Sequence, residues 1–64
     1  MKQLETLVVL WHRLPKKSKG RVIRAFCEQF GYSRATADAT VNGRRQTAVS
    51  PEEIEFLDEK INSE

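Results

Sequence analysis

Cysteine occurs once in this 64-residue chain, at Cys27, and no second cysteine or histidine stands near it at metal-ligand spacing. An intramolecular disulfide is excluded, a reducing cytoplasmic home is expected, and no metal or other cofactor is expected. Histidine also occurs once, and His12 has no acidic partner within six positions, so the usual general base would lack an orienting group. The three glycines, at 20, 31 and 43, never reach the spacing of a phosphate-cradling loop or a dinucleotide fingerprint. An enzyme is therefore not expected. The longest unbroken apolar run, Leu7 to Trp11, has five residues, where a membrane span needs about 20 and a signal peptide at least about 7. Neither a membrane partner nor export is expected. Length is limiting too, because 64 residues is under half of a typical domain of about 150. Residues 1–64 are expected to form one domain with one core and no room for a small-molecule ligand or catalytic module.

Apolar residues make up 39% and charged residues 31%, enough of the former for a packed core. A core this small rarely supplies more than about 3 to 5 kcal/mol, so self-association or a partner is expected. The net charge of +2 conceals a split. Residues 1–50 hold ten Lys or Arg against Glu5, Glu28 and Asp38, a net +7, and residues 51–64 hold Lys60 against six acids, a net −5. Six bases and no acid lie from Arg13 to Arg24 (Arg13, Lys16, Lys17, Lys19, Arg21 and Arg24), a density that attracts polyanions.

Leu4, Leu7, Val8, Trp11 and Leu14 share one helical stripe, which predicts a first helix over 2–14, ended by Pro15. Lys16 to Lys19 reads as a basic loop, with Ser18 available to cap a second helix over 20–30. Val22, Ile23, Phe26, Cys27 and Phe30 mark the buried face of that helix, and Gly31 stops it. Ser33 is a good N-cap for a third helix from Arg34 to Asn42, closed by Asn42-Gly43. This helix holds one large apolar residue. Ala37, Thr40 and Val41 share one face, and Ala35, Asp38, Ala39 and Asn42 the other, with Arg34 and Thr36 flanking it. Arg44 to Thr47 reads as a basic polar loop. Ser50-Pro51-Glu52-Glu53 then starts a fourth helix over 51–61, with a Ser cap, Pro at the first position and Glu where a capping box needs it. Ile54, Leu57 and Ile61 form its core stripe. Trp11, Phe26 and Phe30 read as core aromatics and Cys27 as a small buried hydrophobe. His12 reads as a surface residue or a phosphate neighbour. Val9 and Phe56 point away from their stripes and are the candidates for a homodimer surface.

The expected fold is thus all-α, a compact bundle of four to five short helices containing a helix-turn-helix, with the motif over about 20–43. In such a unit a tight Gly-x-Ser turn joins two helices, the second smooth and polar enough to enter a major groove about 12 Å wide. The stretch from Gly31 through Ser33, Arg34 and Ala35 to Asn42-Gly43-Arg44-Arg45 resembles the recognition segment of lambda-repressor-like (Cro/XRE type) regulators, and Ser50-Pro51-Glu52-Glu53-Ile54 resembles the start of that family's next helix. The resemblance covers about residues 20–61. Two positions depart from the family pattern: Ser18 lies further ahead of Gly31 than the usual cap, and Thr40 stands where an aliphatic residue is usually buried, with Val41 expected to compensate.

The resemblance implies a sequence-specific regulator of phage, plasmid or mobile-element type in a bacterial cytoplasm or nucleoid. Such a Cro-like repressor occupies a palindromic double-stranded DNA operator as a dimer. It assigns base reading to Arg34, Ala35, Asp38 and Ala39. Ser33, Thr36, Asn42, Arg44, Arg45, Lys19 and Arg21 are the expected phosphate contacts. The chemistry fits: Arg34 can fork onto guanine O6 and N7, Ala35 and Ala39 allow close approach to a thymine methyl, and Asp38 can accept from cytosine N4. Arg34 and Asp38, at i and i+4, can also simply pair. Two other readings stand beside this one. Phe30-Gly31-Tyr32-Ser33-Arg34 faintly resembles the Met-Gly-Phe/Tyr loop of ubiquitin-associated domains, which suggests a small protein-interaction module. The patch from Arg13 to Arg24 suggests a nonspecific nucleic-acid binder. Salt separates the first from DNA binding, since phosphate contacts weaken with salt. Indifference to duplex sequence marks the second.

Overall fold

Four α-helices make up the computed structural model, which describes residues 3–64: α1 (Leu4–His12), α2 (Lys16–Phe30), α3 (Arg34–Val41) and α4 (Pro51–Ser63). Among the described residues there are four helices and no strand, so the fold is an all-α bundle. Lys2, the expected first residue of the first helix, lies outside the described residues. α4 packs on α1 and α2, and α3 packs on α2 and α1. The shared core is Leu7, Trp11, Val22, Ile23, Phe26, Ala37, Val41, Leu57 and Ile61, with Phe26 and Ala37 fully enclosed. Leu10, Leu14, Cys27, Phe30, Tyr32, Ile54 and Phe56 are half-buried around it. The radius of gyration, 10.3 Å, matches the roughly 11 Å of a compact chain this long.

Helix ends follow local chemistry. The Ser33 hydroxyl accepts the Thr36 N–H at 3.3 Å and opens α3. Ser50 opens α4 with a complete capping box: its hydroxyl accepts the Glu53 N–H at 3.3 Å, and its own N–H donates to Glu53 Oε2 at 2.7 Å. Gly31 and Gly43 take left-handed φ of 70° and 71°, a region that disfavours side chains with a Cβ. At Gly43 a Schellman turn closes α3, with its N–H bonded to Thr40 O and that of Arg44 to Ala39 O.

Several boundaries differ from expectation. α1 ends at His12, two residues before the expected Leu14, because the N–H groups of Arg13 and Leu14 fall back onto Leu10 and Trp11 in a tighter i to i−3 pattern. α2 begins at Lys16, so the basic loop expected over Lys16 to Lys19 is helix instead. Pro15, at φ −64°, is already set for the helix start and has no N–H to leave unpaired there. Ser18 accordingly caps nothing and is buried in the first turn of α2. Asn42 lies just beyond α3 as its C-cap, and α4 continues two residues past the expected Ile61 to Ser63.

Candidate nucleic-acid interface

α3 is held from one side only. Ala37, Thr40 and Val41 are buried, at 0, 0 and 2% exposure, and seat the helix on its neighbours. The buried Thr40 hydroxyl is satisfied by donating to Thr36 O at 2.8 Å, so the core tolerates it while Val41 supplies the apolar contact. On the outer side Arg34, Ala35 and Asp38 are exposed and Ala39 is half-exposed. No ion pair joins Arg34 to Asp38 among the described residues, so the expected i, i+4 alternative does not form and both side chains are free of each other. The four candidate base-reading residues thus share one smooth outward face.

The residues around that face fare differently. Ser33 and Thr36 are tied together by their hydroxyls at 3.1 Å beside the start of α3. The Asn42 side-chain amide donates to Asp38 O at 2.8 Å and so completes the end of α3. Arg44 is exposed, and its guanidinium is uncommitted among the described residues. Ala35, Thr36 and Ala39 of α3 and Arg44 and Arg45 of the following loop are among the residues that surround a shallow depression where the two meet. The half-buried Lys19 places its ammonium 5.1 Å from the centre of the Trp11 ring, a cation–π contact. Arg21 is exposed and stands 3.5 Å from Glu64.

Arg45, an expected phosphate contact, is engaged within the protein. Its Nη1 donates to Glu53 Oε1 at 2.7 Å, its Nε to Thr47 Oγ1 at 2.8 Å, and its guanidinium carbon lies 5.0 Å from the centre of the Tyr32 ring. Only 11% of the side chain is accessible. The guanidinium is paired with the protein's own carboxylate. Glu53 is the centre of this cluster: it accepts from Tyr32 OH, Arg45 Nη1 and the Ser50 N–H. Burial by itself raises the Glu53 pKa, but the hydrogen bonds from Tyr32, Arg45 and Ser50 outweigh it and bring it down to about 2. The Arg45 pKa is raised, first by its bond to Glu53, against the opposing effect of burial. A sequence signal for the cluster existed. Glu53, Leu57 and Ile61 are spaced by four, so Glu53 stands on the buried stripe of α4, and a carboxylate there requires a partner.

No family model, curated protein or solved structure matches the chain. Its own surface therefore carries the functional reading. Among the described residues no group of three or more His, Cys, Asp or Glu is placed to hold a metal ion, and no helix is long and apolar enough to cross a membrane. The two candidate dimer residues separate. Val9 is 52% exposed and is the exposed large hydrophobic residue of the described chain. Phe56, expected to point away from the core, is half-buried with its ring 5.5 Å from Phe30 and 6.3 Å from Phe26, because the end of α2 extends the core beyond the stripe of α4. Phe56 is a packing residue.

Proposed function

We propose that this protein is a sequence-specific double-stranded DNA-binding regulator that inserts α3 into the major groove. The observation that supports this reading is the one-sided seating of α3: Ala37, Thr40 and Val41 bury its inner side, while Arg34, Ala35, Asp38 and Ala39 stand outward. A helix that invests its few apolar contacts on one side and keeps the other small and polar fits a groove lined by hydrogen-bonding base edges. The short turn at 31–33 between α2 and α3 suits a helix-turn-helix, in which the first helix crosses the DNA backbone. Arg34 and Asp38 are the base-reading donor and acceptor, Ala35 and Ala39 allow close approach, and Arg44 is the flanking phosphate contact in place of Arg45.

One α3 spans few base pairs, so two copies on a palindromic operator give the discrimination, with Val9 as the candidate contact between them. A regulator of this form acts as a Cro-like repressor by occupying its operator. The test is selection from a random duplex library, with the selected duplex and a scrambled one titrated at two salt concentrations. Enrichment of a palindrome with half-sites about one helical turn apart supports the reading. Equal affinity for both duplexes indicates a nonspecific binder, and absence of binding indicates a protein-interaction module.

A further inference from the structure

The chain has three glycines, and two of them explain themselves by their positive φ. Gly20 does not. It lies inside α2, in the second turn, where glycine weakens a helix relative to alanine. Its φ is not positive, and a Cβ built on it meets no atom within 4 Å, so neither backbone conformation nor packing within the chain asks for glycine there. What surrounds it points outward. Gly20 lies in a shallow groove with Ile23, Cys27 and Tyr32 along it and Arg24 and Arg34 beside it. Lys16, one turn earlier, is exposed on the same side of α2. Lys16, Lys17 and Lys19 also crowd the first two turns of α2 with no acid among them, the end of a helix where cations are disfavoured unless an anion joins them. Arg24 is bonded to Glu28 at 3.2 Å, but both side chains are largely exposed and such pairs exchange readily for other partners.

We propose that Gly20 is the point of close approach for a sugar–phosphate strand of the bound DNA. The absence of a side chain lets the strand settle in the groove, its phosphates beside Lys16 and Arg24 and its deoxyribose carbons over Ile23 and Cys27. This rests on the DNA-binding reading above and adds a contact on α2, where no side chain of residue 20 exists to be named. A sugar–phosphate strand suits this groove better than an acidic peptide because the groove carries cations along it and runs on to Arg34 at the start of α3, the helix this reading places in the major groove. Arg34 stands at the junction of this groove and the outer side of α3, so one residue belongs to both surfaces.

The test uses Gly20→Ala and Gly20→Leu, with Gln29→Leu, exposed on the other side of α2, as the control. In the free protein a Cβ at Gly20 meets open space and both variants gain helix propensity, so Tm rises by about 2 to 8 °C. On the selected duplex Gly20→Ala weakens affinity a few-fold and Gly20→Leu at least tenfold, while Gln29→Leu changes affinity by less than twofold. Arg24→Ala lowers the slope of log affinity against log salt by about 0.9 for each phosphate that Arg24 neutralises in the wild type. Opposite signs for stability and binding are the signature, because a merely structural glycine moves both together. If Gly20→Leu binds the duplex within twofold of the wild type, the inference is overturned and the groove serves another partner or none. If the wild type itself selects no duplex, the DNA-binding reading has failed, which the same titration distinguishes.

Discussion

Tyr32 and Arg45, thirteen residues apart and at opposite ends of α3, donate to the same carboxylate oxygen of Glu53. Tyr32 precedes the helix and Arg45 follows its closing turn, so one acidic side chain on α4 ties down both flanks of α3. The tilt of the proposed recognition helix is therefore set from the fourth helix, through a carboxylate that never needs to touch a ligand.

Acid should release that tie. The Glu53 pKa lies at about 2 in the folded chain against an ordinary 4.5, so the folded state holds fewer protons and gains stability wherever the unfolded carboxyl would begin to bind them. The sign follows: the contribution is fully present above about pH 4.5 and is lost as pH falls toward 2. Its size is about 3 kcal/mol at 1.36 kcal/mol per pKa unit, which is comparable to the whole stability expected of so small a core. Thermal melts followed by circular dichroism from pH 7 to 2 should show a falling Tm across that window, and Glu53→Gln should be less stable at pH 7 with a flatter profile.

Arg45 and Arg44 should separate cleanly. Arg45→Ala leaves Glu53 buried without its cation and should cost about 3 to 5 kcal/mol, as breaking a buried pair does. Arg44→Ala should leave Tm within about 1 °C and lower the salt slope of DNA binding by about 0.9. Urea denaturation and salt-dependent titration of the two variants check this, and the opposite assignment of losses would show that Arg45 is the DNA contact.

Arg34→Ala should reduce affinity for the selected operator by about 1 to 3 kcal/mol and relax the preference at one base pair in each half-site. Competition with duplexes substituted at single positions reads this out. A uniform loss across all duplexes would place Arg34 on phosphate alone.

Val9→Lys should leave the fold intact, since Val9 is half-exposed, and should shift sedimentation toward the monomer if α1 forms the contact between copies. Phe56→Ala should instead lower stability by about 2 kcal/mol or more as its packing on Phe30 and Phe26 is removed. A Phe56 variant of unchanged Tm that fails to dimerise would reverse the two roles.

What is legible in the chain is mostly local. Ser33, Ser50, Gly31 and Gly43 mark helix ends because capping joins residues three to five apart, and the stripes of α1, α2 and α4 follow from spacing alone. The start of α2 is not legible, because Pro15 opens it without a side-chain cap and its lysine-rich first turn has the composition of a loop. Arg45 escapes for a different reason. Its partner Glu53 is eight residues away and Tyr32 thirteen, so its commitment arises only when α3 and α4 come together. Phe56 sits off the stripe of α4, yet the aromatic end of α2 reaches it, which no periodicity within one helix records. The outward direction of Arg34, Ala35 and Asp38 follows from spacing, because three inward neighbours on a helix leave one remaining direction.

Trp11 gives the protein an optical reporter of its own. It is the one tryptophan in the chain, its ring is nearly enclosed, its indole N–H is buried without a partner among the described residues, and the Lys19 ammonium rests over its face. A polyanion that draws Lys19 outward would lift that charge from the ring, so emission from Trp11 should change in intensity when the basic side of α2 is occupied. Unfolding would instead move the indole into water and shift the emission to longer wavelength. Occupancy and denaturation could therefore be told apart in one unlabelled cuvette.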